Sequence, residues 1–416
     1  REMKDSGISW VGEIPKEWSV NRAKYCFVNT KEIAGCMSDR YERLALTMNG
    51  VIKRSKDDSN GLQPEKFETY QIFRPDELVF KLIDLQNVST SRVGLSPYLG
   101  LVSPAYIILK SNKRVLPAFA EKYFLMLWKN QIFNALGDAG VRSNLNSKDL
   151  LELSIPFPTF DEQQQIADFL DRECGKIDGL KADIQAQIDT LEQYKRSVIT
   201  EAVTHGLNPS APMKDSGIPW VGQFPTHWTK KKGKYILRYM SKPVKQDDGV
   251  ITCFRDGEVT LRSNRREDGF TMADKEIGYQ GVDVGDLVVH GMDGFAGAIG
   301  ISDSRGKASP VLNVLNTKQN KKYIMYYLRS MAYGEVFTAL STGIRVRSCD
   351  LRWNKLAELL YPLPPIDEQN NIVSYIDNQI ARTNEIIADK KSQIETLDGY
   401  KKSLIYEYVT GKKEVV

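Results

Sequence analysis

The sequence is poor in the residues that form metal sites and disulfide frameworks. It contains five cysteines and three histidines among 416 residues. The cysteines are odd in number and no two are spaced C-x-x-C, and none of the histidines has a neighbour at metal-ligand spacing. Neither a disulfide scaffold nor a structural zinc site is therefore expected.

Long apolar runs are also missing. No stretch approaches the roughly 20 apolar residues that a membrane-spanning helix needs, and no secretory signal opens the chain. The hydrophobic share of 41% is nevertheless sufficient for ordinary cores. The length predicts two to three domains. We therefore expect a cytoplasmic protein that does not associate with membranes.

Motifs for catalysis are absent from the sequence as well. The glycines Gly291, Gly294, Gly297 and Gly300 follow a G-x-x-G spacing, which lacks the G-x-G that a dinucleotide pyrophosphate requires. They indicate turns or close packing instead. The T-G-K-K run at 410–413 lacks the upstream glycine and the hydroxyl residue of a P-loop. We expect no catalytic, cofactor-binding or metal-binding residues in this chain.

What the sequence does contain is an internal repeat. Residues 3–18 read MKDSGISWVGEIPKEW and residues 213–228 read MKDSGIPWVGQFPTHW, with identity at eleven of sixteen positions. Their glycine, proline and tryptophan content predicts an irregular, packed lead-in whose tryptophans are anchored against a neighbouring surface. Duplication favours an even number of domains.

The repeat continues in two helical segments displaced by 206 residues. D-E-Q at 161–163 recurs at 367–369, each time after a proline pair, and prolines and acidic residues favour a helix start. Apolar residues at steps of four and three then predict two helices of about forty residues that pair as a coiled coil. The predicted seam consists of Ile166, Leu170, Ile177, Leu180, Ile184, Leu191, Tyr194, Val198, Ile372, Ile376, Ile386, Leu397, Tyr400 and Leu404.

Polar residues interrupt this seam, and we interpret them as positions that set the register. They are Glu173, Gln187, Thr383, Lys390 and Gln393. In the second helix the apolar stripe is broadened by Ile380, Ile387 and Ile394.

Two globular stretches alternate with the helices and differ far more from each other than their borders do. Both show short apolar strand patterns followed by a helix rich in aromatic residues, which predicts a mixed α+β domain in each case. The predicted boundaries are 1–156 for the first globular domain, 157–206 for the first helix, 207–362 for the second globular domain with a linker at 207–212, and 363–416 for the second helix.

Charge is distributed unevenly between the helices and the domains. The first helix has nine acidic and five basic residues from 162 to 204, and the second has seven and five from 368 to 410. The two helices together therefore carry a charge of −6. Because the whole chain has a formal net charge of +4, the rest of the chain carries +10. Basic domains beside acidic helices indicate that the domains face a polyanion.

The basic residues of the domains are candidates for nucleic-acid contacts. Lysine suits phosphate contacts, whereas arginine reads base edges through bidentate hydrogen bonds. The candidates are Lys53, Arg54, Lys56, Arg92, Arg142, Lys230, Lys231, Lys232, Lys234, Arg262, Arg265, Arg266, Arg345 and Arg347.

Together these segments resemble the specificity subunit of type I restriction–modification enzymes, over essentially the whole chain. The resemblance is carried by the two lead-ins, by the D-E-Q helix openings and by the helix ends Q-Y-K-R-S-V-I-T-E-A-V-T-H-G and G-Y-K-K-S-L-I-Y-E-Y-V-T-G-K. It implies two target recognition domains, each binding one half of a bipartite and asymmetric DNA site. It also implies that the helices form an antiparallel coiled coil with pseudo-twofold symmetry.

The resemblance further implies partners. The helices would set the spacing between half-sites and dock two modification (methyltransferase) subunits, which use S-adenosylmethionine. ATP- and Mg-dependent translocation and cleavage would belong to separate restriction subunits, so this chain would bind no cofactor itself. By position, Arg142 and Arg345 lie in segments that precede the helices, where a DNA-facing role and a fold-stabilising role both remain open.

The main hypothesis is therefore a non-catalytic DNA-recognition subunit. Because the two domains differ in sequence, their half-sites should differ, and repeated modules on antiparallel helices should read them about a helical turn apart. The alternative is a coiled-coil scaffold whose basic domains bind protein or RNA. A nuclease or methyltransferase that acts alone is a third hypothesis, and the missing catalytic motifs count against it.

Overall fold

The computed structural model describes residues 1–48, 50–58, 66–85, 90–137, 144–265, 277–340 and 351–415. The chain divides into two compact units. Unit 1 contains Arg1–Ile184 and Lys391–Val416, and unit 2 contains Gln185–Lys390. Each unit combines one globular domain with part of each long helix.

Unit 1 opens with the lead-in, which forms an antiparallel pair of β1 (Met3–Asp5) and β2 (Glu13–Pro15) rather than a wholly irregular segment. Its other strands are β3 (Ser19–Arg22), β4 (Phe27–Thr30), β5 (Arg43–Thr47), β6 (Gly50–Arg54), β7 (Gln71–Phe73), β8 (Glu77–Phe80), β9 (Val93–Leu95), β10 (Gly100–Val102), β11 (Ile107–Ser111) and β12 (Ser154–Phe157). Its helices are α1 (Pro117–Lys129), α2 (Ile132–Leu136), α3 (Ser147–Glu152) and the first part of α4 (Phe160–His205).

Two four-stranded sheets form the domain of unit 1, in the orders β4-β11-β8-β9 and β6-β5-β10-β7. Helix α1 begins with Pro117, which is favourable at a first helical position. It packs its aromatic face on the first sheet, where the rings of Phe80 and Phe124 meet edge to face at 5.0 Å. Strand β3 pairs with β12 and so ties the domain's beginning to the residues just before α4.

Unit 2 begins within α4, and its globular domain repeats this plan after α4 ends. Its strands are β13 (Met213–Asp215), β14 (Gln223–Pro225), β15 (Thr229–Lys232), β16 (Leu237–Tyr239), β17 (Ile251–Cys253), β18 (Val259–Leu261), β19 (Gln280–Val282), β20 (Leu287–His290), β21 (Ile299–Ile301), β22 (Gly306–Ala308), β23 (Leu312–Thr317) and β24 (Leu360–Leu363). Its helices are α5 (Lys321–Tyr333), α6 (Val336–Ala339), α7 (Trp353–Glu358) and the first part of α8 (Ile366–Val409).

Among the described residues, each of the twelve strands and three short α-helices of unit 1 has a counterpart in unit 2. The sheet β4-β11-β8-β9 recurs as β16-β23-β20-β21, and the pair β3-β12 recurs as β15-β24. Even the parallel pairing of Arg43 with Leu101 recurs as an isolated parallel bridge between Val250 and Lys307. The duplication therefore extends through the domains whose sequences have diverged, and each domain is mixed α+β as predicted.

The two long helices pair in unit 1. Lys181 of α4 lies 2.5 Å from Asp398 of α8, and Lys401 of α8 lies 2.7 Å from Asp178 of α4. Partner numbers fall on α8 as they rise on α4, so the helices are antiparallel.

The pairing is also antiparallel in unit 2. Lys195 of α4 donates a hydrogen bond to Asn384 of α8 at 2.8 Å, and Lys390 donates one to Gln187 at 2.5 Å. The predicted antiparallel coiled coil is therefore confirmed in each unit.

The seam of this coiled coil follows two rows of residues, and one of them differs from the prediction. The first row lies where the sequence predicted it, and its side chains are buried or half-buried. Its residues, at seven-residue intervals on each helix, are 170, 177, 184, 191, 198, 376, 383, 390, 397 and 404. The other row contains Cys174, Lys181, Ile188, Lys195, Ile380, Ile387, Ile394 and Lys401. Four residues predicted for that row lie one position away and are 47% to 57% exposed, namely Leu180, Tyr194, Ile386 and Tyr400.

The displaced row has a physical cause. Lysine can lay its aliphatic stem along a seam while its ammonium group reaches an acid on the partner helix, as Lys181 does with Asp398. A count of apolar residues favours Leu180 over its neighbour Lys181 and so selects the wrong side. The predicted residues Ile166 and Ile372, near the two helix starts, are buried in the domain cores of their own units.

The last part of α8 packs on the lead-in of unit 1. The hydroxyl group of Tyr406 donates to the carbonyl oxygen of Val11 at 3.2 Å, and the ammonium group of Lys412 donates to the carbonyl oxygens of Val11 and Glu13 at 2.9 Å. Leu404 is buried in the same core as the lead-in. Unit 1 is therefore built from the two ends of the chain.

Candidate nucleic-acid interface

In unit 1 the D-E-Q motif joins the globular domain to the helix. Trp18 is buried, and its indole N–H donates to Glu162 Oε2 at 2.9 Å. The buried side chain of Gln163 accepts a hydrogen bond from the backbone of Leu116 at 2.7 Å and donates one to the carbonyl oxygen of Pro158 at 3.1 Å. The motif therefore fixes the domain rather than contacting a ligand.

Unit 2 contains the same joint. Trp228 donates to Glu368 Oε1 at 3.0 Å, and the side chain of Gln369 accepts from the backbone of Asn320 at 3.0 Å. The tryptophans of both lead-ins are thus anchors against a neighbouring surface, as the sequence indicated.

A repeated ion-pair cluster accounts for much of the lysine-rich run. In unit 1, Arg22 and Lys24 both bind the carboxylate of Glu152. In unit 2, Lys232 and Lys234 each lie 2.7 Å from Glu358, which occupies the same place in the repeat. Lys232 and Lys234 hold the pKa of Glu358 down at about 2.

The remaining lysines of that run differ in their surroundings. Lys230 donates to the carbonyl oxygen of Ser216 and so holds the second lead-in. Lys231 is exposed. Three of the four lysines in this run therefore have acceptors within their own domain, and their contact with DNA stays a prediction.

Arg92 does not lie on the surface. The whole residue is buried, and its guanidinium donates a hydrogen bond to the carbonyl oxygen of Asp84 at 2.5 Å. Burial lowers the pKa of Arg92. The sequence did not reveal this burial, since arginine is seldom found inside a domain.

The structure does bring Lys53, Arg54 and Lys56 together along the edge strand β6 and the residues after it. Lys53 lies 2.6 Å from Glu42, and Arg54 lies 3.2 Å from Asp58. All three line one shallow recess of unit 1. They form a basic hairpin surface, defined here as β5, β6 and residues 55–56.

Unit 2 has a basic hairpin surface at the same place in the fold, defined here as β17, β18 and the residues from Phe254 to Arg265. Predicted residues Arg262 and Arg265 line its recess together with Arg255, which is not among the predicted residues. Arg265 lies 2.7 Å from Asp256 and 4.2 Å above the ring of Phe254.

Arg255 and its surroundings could be recognised only from the structure. A single arginine in a turn has no sequence signature, and its partner Asp293 is far away in the chain, 2.9 Å from the Arg255 guanidinium. The same recess contains His290, whose Nδ1 accepts the backbone N–H of Asp293 at 2.9 Å. Burial lowers the pKa of His290, so the ring is neutral at physiological pH.

Four predicted candidates lie outside the described residues, namely Arg142, Arg266, Arg345 and Arg347. Within the described ranges, no three His, Cys, Asp or Glu side chains are grouped so that they could hold a metal ion. No helix in the described part of the chain combines the length and apolar character required to cross a membrane.

The glycine run serves close packing, as the sequence indicated. Gly297 has φ +96°, and an added Cβ there would lie 2.6 Å from the carbonyl oxygen of Arg255. At Gly300 an added Cβ would lie 2.0 Å from the carbonyl oxygen of Gly257. These two glycines let the turn between β17 and β18 lie directly against β21.

Comparison with known proteins agrees with this architecture. The model of the type I restriction modification DNA specificity domain matches residues 47–190. The putative type I restriction enzyme MjaX specificity subunit of Methanocaldococcus jannaschii is 22% identical and the match covers 97% of this chain and 96% of that protein. The type I restriction enzyme StySPI specificity subunit of Salmonella potsdam is 20% identical over 85% of this chain and 81% of that protein.

A solved structure shows the same fold. It concerns the complex assembly and conformational transition of the type I R-M system, and one of its chains matches with a TM-score of 0.66 at 11% identity, covering 96% of this chain and 99% of that chain. The chain therefore matches the type I restriction modification DNA specificity domain at residues 47–190, and over most of its length it is similar to type I restriction enzyme specificity subunits.

Proposed function

We propose that this chain recognises a bipartite DNA site for a type I restriction–modification complex, with one half-site bound by each globular domain. The observation that carries the proposal is that two domains of one fold present a basic hairpin surface at the same place, but with different side chains. A common frame with different exposed side chains suits the reading of two different half-sites.

The test is a titration of DNA binding with salt, using the chain with its modification subunits. We expect affinity to fall steeply with salt concentration and one bipartite duplex to be preferred over scrambled duplexes. Equal affinity for all duplexes, or tighter binding of RNA, would favour the scaffold hypothesis instead.

We also propose that the coiled coil docks the modification subunits through one of its flanks. Leu180 and Tyr400 of unit 1 are both more than half exposed and each precedes a seam lysine. In an antiparallel pair, residues at the same heptad position of the two helices lie on the same flank. The opposite flank of unit 1 carries the ion pairs of Asp178 and Asp398.

The corresponding flank of unit 2 has the same composition, one tyrosine and one aliphatic residue. They are Tyr194 and Ile386, each 47% exposed. Two flanks of like composition support one modification subunit per unit, since exposed aromatic and aliphatic side chains are the usual anchors of a protein interface.

Glutamate substitutions test this docking surface without disturbing the seam. Tyr400→Glu in unit 1 and Tyr194→Glu in unit 2 should each remove one modification subunit from the purified complex, measured as its mass by light scattering. Ser392→Glu and Gln193→Glu, on the outer face of the helices, are the matched controls. A full complement of subunits in both tyrosine variants would contradict the proposal.

We also propose that catalysis and cofactor binding belong to the partner subunits. The chain is non-catalytic and acts in the cytoplasm, S-adenosylmethionine is bound by the modification subunits, and ATP and Mg by the restriction subunits. The similarity of the chain to type I restriction enzyme specificity subunits supports this division. The purified chain alone should neither methylate nor cleave DNA, and methylation should appear when modification subunits are added. Methylation or cleavage of DNA by the chain alone, reproduced in independently prepared samples, would contradict this assignment.

A further inference from the structure

The two basic hairpin surfaces differ most in the turn that connects their strands. In unit 1 the paired residues Thr47 and Gly50 leave two residues between them. In unit 2 the paired residues Cys253 and Val259 leave five. The longer turn of unit 2 carries Arg255, which has no counterpart in the shorter one.

The backbone of the longer turn is held rigidly. The N–H of Phe254 donates to the carbonyl oxygen of Glu258 at 2.8 Å, and the N–H of Gly257 donates to the carbonyl oxygen of Phe254 at 2.9 Å. Gly257 has φ +89°, and the guanidinium of Arg329 occupies the space where a Cβ would stand. A turn of this kind keeps its shape before any ligand binds, which favours specific recognition.

Side chains on one side of the turn are committed to its support. Arg265 lies 2.7 Å from Asp256 and 2.9 Å from Glu258, and it stacks on Phe254. Arg265 is therefore a positioning residue, because its charge and its ring contact are both used within the hairpin.

Arg255 is placed differently. It is 65% exposed, and Asp293 lies 2.9 Å from a single terminal nitrogen of its guanidinium. Asp293 is in turn fixed through its backbone N–H by His290. One carboxylate can orient the plane of a guanidinium that still has other N–H donors, and a fixed plane is what bidentate recognition of a base edge requires.

We propose that Arg255 reads a guanine in the half-site bound by the second globular domain, through paired hydrogen bonds to guanine O6 and N7. This inference rests on the proposed function. Guanine is the base that presents two acceptors to arginine in the major groove, and this pair is the commonest specific contact of arginine with DNA. Arg262 lines the same recess and would supply positive charge for a flanking phosphate.

The experiment maps methylated sites in cells that contain the complete system with wild-type chain or variants. Exchange of residues 229–360 for those of a relative first identifies which half-site belongs to the second domain. Arg255→Ala should then lower the preference for guanine at one position of that half-site roughly ten- to a hundredfold, and leave the other half-site unchanged. Arg255→Gln should move the preference at that position towards adenine, since glutamine pairs with adenine.

The matched control is Lys318→Ala, which removes an exposed cation that follows β23 in the same domain and should leave the methylated sequence unchanged. Unaltered melting temperatures show that the variants fold, as expected for an exposed residue. An unchanged methylated sequence in Arg255→Ala overturns this inference alone. So does a salt titration of DNA binding in which Arg255→Ala loses affinity equally for all sequences and shows a shallower salt dependence. A wild-type chain without sequence-specific methylation overturns the proposed function as well.

Discussion

Lys401 of α8 donates to both carboxylate oxygens of Asp178 on α4, at 2.7 Å each. The same place in the repeat of unit 2 is occupied by Lys195, which donates to the side-chain oxygen of Asn384 at 2.8 Å. One unit thus has an ion pair where the other has a hydrogen bond to a neutral amide.

This difference predicts opposite effects of two exchanges. Asp178→Asn should destabilise unit 1 by about 0.5–1 kcal/mol, because a partly exposed ion pair has about that strength. Asn384→Asp should stabilise unit 2 by a similar amount. Urea unfolding at low salt measures both effects, and each should shrink in high salt. Exchanges that act in the same direction would contradict the assigned pairs.

The joint between lead-in and helix predicts a larger effect. Trp18 is buried in the core of unit 1 and bound to Glu162, so Trp18→Ala should cost about 3–5 kcal/mol of unfolding free energy. Trp18→Phe keeps most of the buried ring but leaves one carboxylate oxygen without its donor, and should cost about 1–3 kcal/mol. Far-UV circular dichroism in urea gives both values, and Lys16→Ala on the exposed surface is the control. A Trp18→Phe variant as stable as wild type would show that the hydrogen bond contributes nothing.

The ion-pair cluster at Glu358 predicts a dependence on pH. Lys232 and Lys234 lower the pKa of Glu358 from its ordinary 4.5 to about 2. Because the folded pKa is the lower one, the stabilisation is present above pH 4.5 and is lost as the pH falls towards 2. The melting temperature of Glu358→Gln should therefore lie below that of wild type at pH 7, and the difference should shrink between pH 4.5 and pH 2.

The counterpart in unit 1 provides the comparison. Lys24 and Arg22 also lower the pKa of Glu152, so Glu152→Gln should show a difference of the same sign that shrinks over the same acidic range. A difference that stays constant with pH in both variants would mean that ionisation of these carboxylates does not stabilise the fold.

The coiled coil predicts how the spacer between half-sites can be changed. Removal of one heptad from each helix, 184–190 and the equivalent 390–396, preserves the seam rows and shortens each helix by about 10 Å. That length corresponds to about three base pairs at 3.4 Å per step. Mapping of methylated sites should show a shorter spacer with both half-sites unchanged, and an unchanged spacer would contradict a spacing role of the helices.

The sequence was sufficient for the architecture because the repeat is visible in its borders and helices. It was insufficient for the seam, where Lys181 takes a position that apolarity assigns to Leu180. Whether a lysine stem or a leucine faces the partner depends on the partner's acids, and those acids are distant in the chain. The full correspondence of the two domains was hidden for a related reason, since short strands of the same topology tolerate very different sequences.

The candidate interface was predictable only in part. Lysine clusters reveal a positive charge but not its acceptors, and Lys232 and Lys234 both pair with Glu358, which lies far along the chain. Arg255 was not predicted because its proposed role depends on a turn, on Asp293, and on Gly297 and Gly300 beside that turn, all of which the fold assembles. Residues whose function depends on distant partners are the ones that the sequence alone does not reveal.

The composition of unit 1 from both ends of the chain has a consequence for biosynthesis. Unit 2 is a continuous stretch of 206 residues, so it can fold as soon as it leaves the ribosome. Unit 1 emerges first but lacks the end of α8, with its buried Leu404 and its bonds from Tyr406 and Lys412 to the lead-in. At about 5–20 residues per second, translation of the intervening 206 residues takes about 10–40 s. During that time the first domain lacks the part of α8 that completes its core, so we expect the domain that is made first to be completed last and to need more protection by chaperones than the second.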